Sequence, residues 1–401
     1  MSQTQKHGLM LLVLVLIGLN MRPLLTSIGP LLPQLREASG MSFTAVSLLT
    51  ALPVVAMGVL ALAGGWVDRH FSDDRHFSER NSVALSLLAI AVGALLRELA
   101  PQSLLLLSSA LLGGIGIGII QAVMPAVIKR TFQRRMPLVM GLWSAALMGG
   151  GGLGAALTPW LAEHSDVWHR SLAWWALPAL VALIGWWPQS KSLNQPIKSS
   201  QLAQPLRLHL SPRAWTLGLY FGLINGGYTS LIAWLPPYYM QLGATAQFSG
   251  SLLALMTVGQ AAGALILPMF ARKQDRRSLL MAALTLQLIG FCGFIWLPLQ
   301  MSVLWAVVCG FGLGGAFPLC LVLALDHSPQ PAIAGRLVAF MQGIGFIVAG
   351  LSPYLSGLLR SLSGNFLLDW MFHAVLVVGL MLLTLRFVPS HYPREWALSR
   401  H

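Results

Sequence analysis

Arg22 stands inside an apolar run that begins near Leu9, in the segment Asn20-Met21-Arg22-Pro23-Leu24-Leu25-Thr26-Ser27-Ile28-Gly29-Pro30. A guanidinium there supplies a fixed positive charge and a planar fork of donors, which suits an anion or a pair of nitro or carbonyl oxygens. A charge at that depth is a functional hypothesis by default. Helical spacing brings Asn20, Thr26 and Ser27 within one or two turns, and Thr26 at i+4 shares the face of Arg22 more closely than Ser27 does. The structural alternative is an arginine bonded to carbonyls that Pro23 or Pro30 sets free. A second polar set, Asn225, Tyr228 and Thr229, follows the spacing i, i+3, i+4 in a later apolar run. Gln121, Gln260 and Gln342 are lone amides in further runs, and the rings of Trp143, Tyr228 and Trp234 could stack on a flat heteroaromatic. For the hydroxyls and amides the alternative is satisfaction of their own backbone or of a neighbouring helix.

All 12 acidic residues fall in loops or near the ends of apolar runs, with Asp326 and Asp369 closest to the interior. Arg22 therefore has no evident carboxylate partner at mid-depth, which favours an anionic or electron-rich ligand over a cation. Protons, if they are coupled to such a ligand, must use Asp326, Asp369, His373 or the ligand itself.

The elements that position these residues follow from composition. The 401 residues are 56% hydrophobic and 9% charged, with a mean hydropathy of +0.71. That excludes a soluble domain, whose charged share is roughly 25%. Continuous apolar runs of about 20 residues mean spanning helices and not a closed barrel, whose strands alternate over about 10 residues. The net charge of +13 forms no single patch, so a nucleic-acid partner is not expected. The first run is too long for a cleaved leader and carries Arg22, and it reads as a retained helix.

Twelve spans are predicted, over 9–33, 43–66, 81–100, 103–128, 137–162, 170–187, 213–237, 247–271, 278–298, 301–325, 333–359 and 365–388. With the N-terminus inside, 20 of the 25 basic residues lie on the cytoplasmic side, and only Arg36, Arg97, Arg170 and Arg360 lie opposite. That bias places both termini in the cytoplasm. The stretch 188–212, rich in Ser, Gln, Pro and Lys, reads as a cytoplasmic linker between halves 1–187 and 213–401. The halves align. At an offset of 203, Thr26, Ser27 and Pro33 pair with Thr229, Ser230 and Pro236, and Arg22 pairs with Asn225. The order is colinear at Ser47 with Ser251, and at glycines 114, 116 and 118 with 310, 312 and 314. The predicted fold is an all-α membrane protein of two pseudo-symmetric six-helix bundles, an architecture of carriers.

Two six-helix halves joined by a mid-chain linker resemble the major facilitator superfamily. Gly64-Gly-Trp-Val-Asp68-Arg69 matches the start of its loop signature between spans two and three, Gly-x-x-x-Asp-Arg, although a tandem repeat, Asp68–Asp73 followed by Asp74–Glu79, interrupts the basic tail. The resemblance implies that Gly64, Asp68 and Arg69 take part in gating, and that spans one, four, five, seven, eight, ten and eleven line a cavity. The glycines 149–152 and 154 resemble its antiporter motif without the Gly-Pro step. More narrowly, Asn20-x-Arg22-Pro23-x-x-Thr26-Ser27-x-Gly29-Pro30 and Ala233-Trp-Leu-Pro-Pro237 resemble the cyanate transporter branch, and within it the 2-nitroimidazole exporters. The resemblance implies 2-nitroimidazole export across the inner membrane as the leading activity, with cyanate or another small anion as the alternative. A channel or sensor is the alternative from another class.

No catalytic or metal-ligand spacing is present. Cys292, Cys309 and Cys320 have no CxxC spacing and sit in apolar runs as small packing residues, and no phosphate-binding loop exists. The expectation is a monomeric, cofactor-free secondary carrier in the bilayer that takes a small molecule, with protons as a candidate coupling ion.

Overall fold

The computed structural model describes residues 3–71, 78–99, 102–132, 135–190, 208–271, 275–328 and 330–392. Among them, eleven helices are long and apolar enough to cross a membrane. A further helix, Pro212–Gln241, is 30 residues long and falls at the position of span seven. It is less apolar because it carries Arg213, Asn225, Thr229 and Ser230. From Ile224 to Tyr239 every residue is buried, so its polar groups meet protein on all sides.

Spans two to six are Phe43–Phe71, Glu79–Leu96, Ser103–Thr131, Met136–Glu163, and Arg170–Ala173 continued by Ala176–Gln189. Spans eight to twelve are Ala246–Met269, Arg277–Trp296, Ser302–Leu325, Pro331–Ser363 and Leu367–Thr384. Span two packs on four, three on four and six, and one on five; span eight packs on ten, nine on ten and twelve, and seven on eleven. Adding six to each number of the first set gives the second. Between the sets, two packs on eleven and five on eight, and the same shift exchanges those two contacts. The packing thus repeats as the sequence does.

Span one departs from the single helix expected over 9–33. It runs Gln3–Leu19, breaks at Asn20–Arg22, forms one turn at Pro23–Thr26, and resumes through Gly29–Leu31 and Leu32–Ser39. Pro23 and Pro30 cannot donate to the carbonyls of Leu19 and Thr26, four residues back, so the ladder opens at both places. Span seven has Gly226 and Ala233 at the matching positions and continues unbroken.

The glycines of span five make room for this break. The Gly150 Cα faces the Leu19 carbonyl, the Gly154 Cα faces Pro23 and Thr26, and a Cβ on Gly151 would lie 3.3 Å from Arg22 Cβ. Gly152 faces the other way, towards Thr257 of span eight. The run therefore lies between the broken helix of the first half and a span of the second.

The end of the molecule remote from the linker is shut. A Cβ on Gly29 would lie 2.9 Å from the Ile232 carbonyl and 3.2 Å from Pro236. Phe43, opening span two, has the guanidinium of Arg36 3.5 Å and that of Arg360 4.7 Å from its ring centre. It also meets Trp234 at 5.9 Å, and Arg360 reaches Phe366 at 5.1 Å.

The backbone of Gly64, Asp68 and Arg69 lies in the last turns of span two. Their side chains, residues 72–77 of the tandem repeat, and linker residues 191–207 lie outside the described residues.

Candidate functional site

Arg22 is the residue before Pro23 and occupies the break itself, with φ −121° and ψ −24°. The residue preceding a proline is steered away from helix. Its aliphatic stem rests on Gly151, and its guanidinium sits over the ring of Tyr228, 5.2 Å from the centre. One side chain of the first half thereby meets span seven of the second. Arg22 is half-buried, its Nε is buried without a hydrogen-bond partner, and among the described residues no acidic group lies within ion-pair distance of it. A guanidinium stacked on one face keeps its in-plane donors for an oxygen or nitrogen acceptor.

The other expected contacts divide. Asn20 turns its amide to the carbonyls of Leu16 at 2.7 Å and Pro178 at 3.1 Å, tying span one to span six. Thr26 donates to the Arg22 carbonyl at 3.2 Å, and its hydroxyl supports the break rather than facing a cavity. Thr229 donates to the Ala349 carbonyl at 2.6 Å, and Asn225 donates to Phe221 at 2.8 Å. Trp143 is buried against Gly18 with an unpaired indole nitrogen. Gln121 and Gln342 are half-buried on spans four and eleven. Gln260 is buried with its carbonyl oxygen unpaired, and Gln287 with its amide nitrogen unpaired.

Of the three rings expected to stack on a heteroaromatic, Tyr228 and Trp234 are engaged elsewhere, and Trp143 is the one whose indole nitrogen has no partner. Arg22 covers one face of Tyr228. Trp234 is fully buried between Phe43 and Phe366, and its indole donates to Pro353 at 2.9 Å.

The three candidate proton carriers also separate. Asp326 caps the end of span ten and pairs with Arg276 at 2.8 Å, outside the membrane-spanning segments. Beside it, burial, opposed by the Leu323 carbonyl bond and reinforced by Arg213, pushes His327 down to about 4. Arg213 donates to its Nε2 at 2.9 Å. Asp369 and His373 face each other inside span twelve, both buried.

Two features lay beyond the sequence reading. Arg97, expected at the surface opposite the linker, is fully buried and donates to Ser27 and Ser109 at 3.3 Å each. The Arg36–Phe43–Arg360 cluster joins residues from both halves that no local pattern connects.

The profile of the Major Facilitator Superfamily matches residues 10–349 and 242–400. The chain belongs to that superfamily. The D-xylose–proton symporter superposes with a TM-score of 0.74 over 95% of this chain and 98% of its own, at 15% identity. A point mutant of the nucleoside transporter NupG does so with 0.74, over 94% and 99%, at 13% identity. These two show the fold. The cyanate transport protein CynX of Escherichia coli (strain K12) is 72% identical over 388 residues, 96% of this chain and 99% of that one. The 2-nitroimidazole transporter of the same organism is 28% identical, over 94% of each chain. The uncharacterized transporter YycB of Bacillus subtilis (strain 168) is 26% identical, over 86% of this chain and 85% of its own. The chain is therefore a multi-pass secondary transporter of the superfamily and not an enzyme. The expected kinship with 2-nitroimidazole exporters is corrected: the cyanate branch holds, and the strong likeness lies on its cyanate side.

Proposed function

We propose that this carrier moves cyanate, or a small anion much like it, by rocking residues 1–187 against 213–401 around Arg22. The observation that carries the reading is the Arg22 guanidinium at the break of span one, stacked on Tyr228 and, among the described residues, without a carboxylate in ion-pair distance. A half-buried cation lacking an internal partner is relieved by an anion, and a linear triatomic anion needs only one pair of in-plane donors. The 72% identity to a cyanate transport protein supports the same choice. Following the basic-residue bias, the linker and both termini face the cytoplasm of a bacterial inner membrane, and the end shut by Phe43 faces outward.

The test is counterflow in proteoliposomes. Preloaded cyanate is expected to accelerate entry of labelled cyanate, with saturation, and 2-nitroimidazole is expected to do neither. Arg22→Lys keeps the charge and loses the planar fork; uptake is expected to fall at least tenfold, about 1.4 kcal/mol. Cyanate flux without saturation or trans-stimulation would identify a channel, and wild-type transport by Arg22→Lys would remove Arg22 from the site.

A further inference from the structure

Spans three and six leave an apolar groove between them on the membrane-facing side of the first half, at the end of the molecule that carries the linker. It has a volume of about 710 Å³ and is lined from Asn81 to Leu88 on span three and from Leu183 to Pro188 on span six. Leu85, Leu88, Ile184 and Trp187 are exposed along it. Arg80 stands at its linker end, one residue before Asn81. The guanidinium lies over the Trp187 ring, 4.0 Å from the centre, and Nη2 donates to the Trp187 carbonyl at 3.2 Å. The fully buried Trp186 donates in turn to the Arg80 carbonyl at 2.9 Å. Span six thus holds both the backbone and the side chain of Arg80, but nothing meets its charge. Its Nε is buried with no hydrogen-bond partner, and among the described residues no carboxylate lies within ion-pair distance of it. Glu79, beside it in the chain, pairs with Arg130 of span four.

The matching arginine of the second half is satisfied. Arg277 stands in the first turn of span nine as Arg80 does in that of span three, and it reaches the Leu385 carbonyl at the end of span twelve at 3.5 Å. It also holds Asp275, through Nε at 3.0 Å and Nη2 at 2.7 Å. Of the two, Arg80 is the one whose counter-charge must come from outside the fold.

The size of the groove says what brings it. Both helices cross the membrane, so hydrocarbon covers the exposed side chains. The lining from Asn81 to Leu88 extends over about 10 Å of helix, less than the depth of one leaflet, about 15 Å. A partner helix would need a face along the whole bilayer, whereas one acyl chain entering from the headgroup level fits. At that level a guanidinium fork takes a pair of phosphate oxygens. Basic pockets between spans suit anionic headgroups. A zwitterionic lipid carries its own cation beside the phosphate and leaves Arg80 uncompensated.

We propose that the groove between spans three and six binds one anionic phospholipid, with its phosphate on Arg80 and one acyl chain against Leu85, Leu88 and Ile184. The lipid supplies in the first half the negative charge that Asp275 supplies in the second. The site is separate from Arg22 and does not depend on which anion the carrier moves.

The experiment is native mass spectrometry of the full chain released from micelles that hold phosphatidylglycerol and phosphatidylcholine in equal amounts, with the melting temperature in each lipid measured alongside. Wild type is expected to keep one phosphatidylglycerol in preference to phosphatidylcholine and to melt higher in it. Arg80→Gln is expected to lower that preference about fivefold, the effect of one basic side chain near the headgroups. Leu88→Trp, which fills the groove from an exposed position, is expected to displace the lipid with Arg80 intact. Arg277→Gln, whose charge Asp275 already meets, is expected to keep it. Soluble glycerol phosphate is expected not to compete, and competition would place a free phosphate ester at Arg80 and overturn the lipid site. A two-chain mass in wild type that Leu88→Trp abolishes would make the occupant a second copy and overturn it as well. Equal retention of phosphatidylglycerol by wild type, Arg80→Gln and Leu88→Trp would refute the proposal, as would a wild type without preference. If Arg80→Gln melts below wild type in phosphatidylcholine, the contrast between Leu88→Trp and Arg277→Gln decides.

Discussion

Replacing Phe43 by leucine is expected to open the shut end. In the structure one ring serves two guanidinium groups, Arg36 at 3.5 Å and Arg360 at 4.7 Å, and the second belongs to the other half of the chain. The Arg36 contact lies within the first half and survives opening, so closure is stabilised by the Arg360 contact alone, at about 0.5–1 kcal/mol for a half-exposed cation–π pair. The two like charges, no farther apart than the sum of those distances, repel by at least about 0.5 kcal/mol even in water. Leucine removes the cross-half attraction and leaves the repulsion, which raises the open fraction about 2- to 5-fold. Spin labels at Ala38→Cys and Gln241→Cys, with Cys292, Cys309 and Cys320 replaced, would report the separation of the tips of spans one and seven by pulsed electron resonance. A longer-distance population is expected in Phe43→Leu and not in Phe43→Trp, which keeps a ring. Identical distance distributions in wild type and Phe43→Leu would refute the clamp.

Gly150→Ala is expected to lower the melting temperature and transport together, because the new Cβ meets the Leu19 carbonyl, a backbone atom that cannot swing aside. Overpacking of this kind costs about 1–3 kcal/mol, and an unchanged fluorescence melt would show that the break yields freely. For acid stability the sign follows from His327, held at about 4 against an ordinary 6.5 mainly by burial. The unfolded chain binds the proton first, so stability is full above about 6.5, falls as pH drops towards 4, and then levels. The total is on the order of 3 kcal/mol. His327→Gln is expected to flatten that part of the melting profile, and a slope equal to that of wild type would exclude His327 as its source.

The spans and their repeated packing were legible because apolar runs and the matches between halves are sequence signals. The break in span one was only half legible. Pro53, Pro125 and Pro353 sit inside helices that do not end there, so a proline alone does not decide. At span one two prolines lie seven residues apart, and the glycines of span five let the opened backbone approach. That second condition is about 130 residues away in the chain. The commitment of Asn20, Thr26 and Thr229 to backbone carbonyls was hidden because their spacing reads the same whether a hydroxyl faces a cavity or its own helix. Arg97 gave no signal, since it sits beside Glu98 at the end of an apolar run while Ser27 and Ser109 come from other spans. The choice between cyanate and 2-nitroimidazole was illegible for a different reason. The span-one motif marks the whole branch, whereas ligand shape depends on which ring faces stay free.

The duplicated serines show what the two halves did with a common frame. Ser27 and Ser230 occupy matching positions, and Thr26 and Thr229 beside them each bond the carbonyl four residues back, at 3.2 and 3.3 Å. In the first half Ser27 accepts from Arg97, and Arg22 lies five residues before it. In the second half Ser230 joins Ser356 and, through it, His373 and Asp369. The matching serines thus have unlike neighbours, Arg97 of span three beside Ser27 and Ser356 of span eleven beside Ser230, which come from spans that the duplication does not pair.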